Sequence, residues 1–191
     1  MTLLVGVIQS HIREIKLVGS VVVLDDWRRL TLERQQRLAN PYQFCVTWAM
    51  LQSTWRSAED FNEKEIEFIF DHEQKQVEHL NAAYEAVRKM GEDGHLCIGL
   101  TRADHRKVTP VQVADLFAYE AYKYAIGKLE GKLPEDIRWP IAQLKELIDA
   151  SKAAWFDYHS LMLVSDVNGE YERELSQIRK EFYKTHKTDD C

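Results

Sequence analysis

The chain has 191 residues, 45% hydrophobic and 29% charged, with 8 Gly and 4 Pro, enough for one sizeable core or two small ones and unlike disordered, collagen-like or low-complexity chains. Lys and Arg total 25 against 31 Asp and Glu, a formal charge of -6, which argues against a globally basic nucleic-acid coat and leaves room only for a local basic patch. The 3 cysteines, Cys45, Cys97 and Cys191, form no CxxC pair; they suggest neither a disulfide framework nor a zinc ribbon and fit a reducing, cytoplasmic setting.

Leu3, Leu4, Val7, Ile8, Ile12 and Ile15 recur at helical spacing and predict an amphipathic first helix. Gln9, His11 and Arg13 stand where a signal peptide would need an apolar run and a cleavage site. Gly19-Ser20 interrupts the helix. Residues 21–24, Val-Val-Val-Leu, form an apolar run that no other exceeds in length, far short of the roughly 20 residues that span a bilayer, so no membrane partner is expected. That run reads as a strand buried in a sheet with helices above and below, closed by Asp25-Asp26. Asp26 is placed to cap a helix over 27–38.

After the break at Asn40-Pro41, Phe44, Trp48, Leu51 and Trp55 keep a helical period to about residue 57 and predict a deeply packed helix. Residues 65–71 are strand formers ending on Asp71. Residues 76–90 return to helix, with Val77, Leu80, Tyr84 and Val87 on one face and Gly91 as the stop. A third strand is expected over 95–100, then a loop over 101–108. Thr109, Pro110 and Gln112 mark the clearest helix start, an N-cap with proline next and a capping-box partner three on, for a helix reaching about Gly127. Pro134 and Pro140 bracket a connector into a helix over 141–154, and a charged helix over 170–184 precedes a frayed tail. The alternation predicts an α/β layered fold around a central mixed sheet, with three strands visible.

Ligands of open α/β sheets gather at the carboxyl ends of the strands, where Asp25, Asp26 and Asp71 stand. Asp115 lies early in the helix that starts at Thr109, among Val111, Val113, Ala114, Leu116 and Phe117. Two readings stand for these acids. Asp115 can be a dipole-stabilising acid and Asp71 a turn cap, or the two meet over the sheet edge and share a divalent cation, since carboxylate oxygens are what Mg²⁺ or Mn²⁺ takes. Two acids are a thin set, so a further ligand is sought among Asp25, Glu73 and Asp104. Gln112, one turn before Asp115 on the same face, either orients that acid, touches substrate or caps the helix. His72 is a proton-shuttle candidate or a plain loop residue. Arg102, His105, Arg106 and Lys107 either contact phosphate or form a solvated loop diluted by Asp104. Phe117, Tyr119, Tyr122 and Tyr124 fit core packing better than base stacking. No Gly-rich phosphate loop, GxSxG elbow or Cys-His arrangement occurs.

Residues 66–71, with the downstream run Pro110-Val111-Gln112-Val113-Ala114-Asp115-Leu116-Phe117-Ala118-Tyr119-Glu120, resemble the second half of the family catalogued as domain of unknown function 3800. There a strand ending in Asp is followed by a helix opening on Pro-x-Gln-x-Ala-Asp-Leu. Leu24-Asp25-Asp26-Trp27 and Pro41-Tyr42-Gln43-Phe44-Cys45 are similar to its middle portion, so the likeness covers about residues 3 to 128, and the Gln-x-x-Asp helix is its most specific piece. The resemblance implies a ribonuclease H-like fold and, by analogy of fold, a divalent-metal-dependent nuclease or related phosphoryl-transfer domain acting on nucleic acid. It makes Asp71 and Asp115 metal ligands and Gln112 their neighbour.

The family's opening strand, ending in Asp-Glu-Ser-Gly or Asp-Asp-Ser-Gly, has no counterpart in this sequence. On this reading residues 1–130 form an N-terminally shortened core, and 131–191 a helical extension packed on the same domain. The chain is then a fragment or a degenerate relative, lacking one metal-bridging acid and exposing a sheet edge open to self-association. The alternative function is a non-catalytic binding or assembly module that retains the scaffold.

Overall fold

A computed structural model describes residues 18–61, 65–71, 74–90, 96–104, 106–131, 152–166 and 169. The expected helices over residues 3–15, 141–151 and 170–184 lie outside them. The described elements are β1 (Val18–Val22), α1 (Leu24–Arg29), α2 (Leu32–Leu38), α3 (Pro41–Phe61), β2 (Ile66–Asp71), a 3₁₀ turn (Gln74–Gln76), α4 (Val77–Lys89), β3 (Cys97–Ala103), α5 (Thr109–Leu129), β4 (Lys152–Phe156) and α6 (Tyr158–Val164). The chain is therefore mixed α/β and mostly helical.

The three expected strands do not share one sheet among the described residues: β2 pairs with β3, and β1 pairs with β4. The described residues divide into two compact units, those within 1–21 and 42–154 and those within 22–41 and 155–191.

The first unit is built on the unit β2–α4–β3. Its strands run parallel, with Phe68 opposite Leu100 and Asp71 opposite Ala103; a parallel pair needs a crossover, and α4 supplies it. Leu80, Ala83, Tyr84 and Val87 recur at three- and four-residue steps, so all four fall on the buried face of α4. They pack with Phe68 of β2, Cys97 of β3 and Val46, Met50 and Leu51 of α3. Between Ile66 and Glu67 the register jumps from Cys97 to Gly99, leaving Ile98 as an extra residue. This bulge turns both Cys97 and Leu100 toward the core and leaves Ile98 58% exposed. The Tyr84 hydroxyl donates to the Cys97 carbonyl at 3.2 Å; burial pushes its pKa up.

Helix α3 opens on Pro41, where a missing N–H costs nothing. Its inward face is Val46, Met50, Leu51 and Thr54. Thr54 is tolerated there because its hydroxyl donates back to the Met50 carbonyl at 2.9 Å. Of the residues that set the expected period, Phe44 and Leu51 are buried and Trp55 is exposed, with Trp48 half-buried. The Trp48 ring meets Phe44 and Trp55 edge-to-face at 6.2 and 6.3 Å, an arrangement aromatic rings favour without full burial.

Several boundaries differ from expectation. Strand β1 starts at Val18 and runs through Gly19-Ser20, half-buried throughout rather than covered on both faces. Ser20 Oγ donates to the Cys45 carbonyl at 2.6 Å, and Gln52 Nε2 to the Gly19 carbonyl at 3.4 Å. Leu24, Asp25 and Asp26 form the first turn of α1, where acids complement the helix dipole. The helix expected over 27–38 is cut at Leu30, and Thr31 caps α2 by accepting from the Arg34 amide at 3.4 Å. Residues 152–154 are strand, not helix, because they pair with β1.

In the second unit α6 is held at both ends by α1 and α2. Asp26 accepts the Tyr158 amide at 3.1 Å while paired to Arg29, whose guanidinium lies 4.3 Å from the Tyr158 ring centre. At the other end Arg34 donates to the Met162 carbonyl at 3.1 Å and to Ser165 Oγ at 2.9 Å, supplying donors where α6 runs out of N–H groups. Asp157 caps α6 by accepting from the Ser160 amide and hydroxyl, both at 2.9 Å, and those bonds hold its carboxyl below the ordinary carboxylate range. Among the described residues of this unit, Trp27, Leu30, Leu38, Phe156 and Leu161 are buried and apolar.

Met50→Ala, at a side chain only 1% exposed, is expected to cost about 2–5 kcal/mol of unfolding free energy, whereas Ile98→Thr should stay within about 0.5 kcal/mol; urea midpoints measure both. Because the folded-state pKa of Asp157 is depressed, its contribution is complete above about pH 4 and disappears as pH falls through the folded value. The melting-temperature deficit of Asp157→Ala against the parent should therefore shrink in acid, which calorimetry across pH would show.

Candidate functional site

Parallel pairing brings the carboxyl ends of β2 and β3 together, with half-buried Asp71 closing β2 opposite Ala103. The chain leaves β3 through Asp104 and turns by a bond from the Lys107 amide to the Asp104 carbonyl at 2.9 Å. It then enters α5, whose first bonds run from the Val111 and Gln112 amides to the Val108 carbonyl at 3.1 and 3.3 Å. Val108 thus occupies the cap position expected of Thr109, and the helix starts one residue early.

Asp104 organises the turn. One oxygen accepts from the Arg106 amide at 3.0 Å and from Nε at 2.9 Å, and the other from Nη2 at 2.8 Å. These bonds hold the Asp104 carboxyl well below the ordinary carboxylate range. Reciprocally, Asp104 pushes the Arg106 pKa up, and the charge of Asp71 adds to the effect. The charge of the strand-end acid Asp71 thus reaches this guanidinium across the carboxyl edge.

Helix α5 rests on β2. Gln112 is half-buried and Asp115 is exposed, in line with Ala118 and Tyr119. Arg102 is exposed on β3, in register with Phe70; it stands on the strand, not in the expected loop. Lys107 is exposed in the turn. His72, Glu73 and His105 lie outside the described residues. Of the further acids considered as ligands, Asp25 belongs to the second unit and pairs with Arg28 at 2.7 Å, and Asp104 is bound by Arg106.

One expectation about α5 changes. Tyr119 and Tyr122 are 49% and 60% exposed, because the inward stripe of the helix is set by Val111, Leu116, Phe117 and Ala125. Glu120, to which the sequence assigns no role, is buried. The available signal was its helical spacing from Val113, Leu116 and Phe117, which puts an acid on the apolar side.

Carboxylates are suitable donors for Mg²⁺ or Mn²⁺, but among the described residues no three His, Cys, Asp or Glu side chains come together as a metal site. A centre built from these residues alone would have to be finished by phosphate oxygens and water, as Mg²⁺ sites with one or two carboxylates commonly are. Also among the described residues, no helix is long and apolar enough to cross a membrane. No protein-family model, curated protein or solved structure matches the chain.

Arg106→Ala removes both side-chain donors to Asp104. The carboxyl pKa of Asp104, followed by NMR titration, is expected to rise from its depressed value toward the ordinary value of about 4.

Proposed function

We propose that the chain is a ribonuclease H-like domain that engages nucleic-acid phosphodiesters and hydrolyses them with the help of Mg²⁺ or Mn²⁺. The observation that carries the reading is the carboxyl edge of β2 and β3, where Asp71, the Asp104–Arg106 turn and the start of α5 are consecutive along the fold. The likeness of residues 66–71 and 110–120 to domain of unknown function 3800 supports the same reading.

Asp71 and Asp115 would hold the cation, which when bound supplies Lewis acidity toward a phosphoryl oxygen and an attacking water. Arg102, Arg106 and Lys107, with His105 between them in sequence, contact the phosphate chain and set its register along the sheet end. Gln112 orients the Asp115 carboxylate or the substrate from one helical turn away. Water is the nucleophile, and no covalent enzyme intermediate forms.

Cleavage of labelled single-stranded and duplex oligonucleotides should require divalent metal, stop on chelation, and fall to background in Asp71→Asn and Asp115→Asn. Metal-independent cleavage, or undiminished variants, would remove the proposal.

A non-catalytic binding or assembly module is the second reading. It is favoured by the lack of a three-ligand metal group among the described residues and by Ile69 and Ile98, 44% and 58% exposed on the β2–β3 sheet, whose outer edges could pair with a second copy. The two readings separate by heat: a metal at one hundred times its dissociation constant stabilises a protein that binds it by about 2.7 kcal/mol. The nuclease should melt higher with Mn²⁺, and the assembly module should not.

A further inference from the structure

We propose that Asp104 is a built-in competitor for phosphate, occupying the guanidinium fork of Arg106 so that a nucleic-acid phosphate gains that arginine only by displacing the carboxylate. The inference rests on the reading above, that this edge meets phosphodiesters, and assigns the site a restraint on its own affinity.

The geometry is that of a mimic. Arg106 presents Nε and Nη2 to the two oxygens of Asp104 at 2.9 and 2.8 Å, the side-by-side pattern by which a guanidinium grips a carboxylate or a phosphate. The pair is two residues apart within one turn, and the Arg106 side chain is 78% exposed, so exchange needs no rearrangement of the core. The pair lies at the surface, with the Asp104 side chain 27% exposed, where water and salt weaken even a two-pronged ion pair. A phosphate chain that also meets Arg102 and Lys107 can therefore displace the carboxylate. The Arg106 amide holds Asp104 from a second direction at 3.0 Å, so the carboxylate stays in the turn when the fork is vacated and returns when the ligand leaves.

The test measures binding of a fluorescent oligothymidylate by anisotropy across a salt series, without divalent metal, for the parent, Asp104→Asn, Arg106→Gln and the double variant. Asp104→Asn should bind roughly three- to tenfold more tightly at low salt and steepen the salt dependence by about one counterion. The same substitution in the Arg106→Gln background should change nothing. Asp104→Ser keeps a hydroxyl acceptor for the Arg106 amide while emptying the fork, so it should reproduce the gain if the asparagine variant fails to fold. An equal gain in both backgrounds would mean simple removal of a negative charge and would overturn the proposal, as would no gain in either variant while the parent binds. Failure of the parent and every variant to bind even at low salt would overturn the phosphodiester reading itself, and this inference with it.

Discussion

The parallel pairing of β2 with β3 is the constraint on which the first unit depends. Two parallel strands cannot be joined by a tight turn, so the chain must leave the sheet, cross it and return. Helix α4 makes that crossing, and its buried stripe of Leu80, Ala83, Tyr84 and Val87 provides the surface on which the strands and α3 close. The bulge at Ile98 follows from the same constraint. Without the extra residue, strict alternation would send either Cys97 or Leu100 away from the core. Parallel direction also puts the ends of both strands on one edge, so that Asp71 and the Asp104 turn are neighbours for topological rather than local reasons.

That edge has mixed charge. Asp71 and Asp104 stand with Arg102, Arg106 and Lys107, and Asp104 grips Arg106 through two side-chain bonds. This edge is thus not an open basic surface, consistent with a chain whose overall charge is -6. Its capacity for phosphate depends on how acids and cations share their hydrogen bonds, and a count of positive residues does not capture it.

Local patterns announced β2, α4 and the start of α5 within a residue or two, because each is marked by periodicity or by a breaker at its end. Non-local events were hidden. Strand β3 extends to Ala103 because β2 offers partners as far as Asp71, and nothing in residues 101–103 announces that. Residues 152–156 became a strand because β1 pairs with them. The short helix α6 follows directly, its start fixed by the Asp157 cap and by a bond to Asp26 from far along the chain. In the candidate site Asp71 was legible as an acid at a strand exit. The engagement of Arg106 by Asp104 was not, since it depends on a turn whose shape sequence spacing does not determine. The exposure of Tyr119 and Tyr122 reflects which side of α5 its neighbours claim.

The second unit joins residues 26–37 to residues 157–165, and its bonds link partners 128 to 132 positions apart. Closing so long a segment is entropically costly, and contacts of such separation slow folding. During synthesis α1 and α2 emerge long before α6 and must wait with Asp26 and Arg34 lacking these partners, and with Arg37 lacking the Ser165 carbonyl to which it donates at 3.4 Å. A polypeptide cut between the end of α5 and Asp157 would retain the βαβ unit while leaving those three side chains permanently without α6.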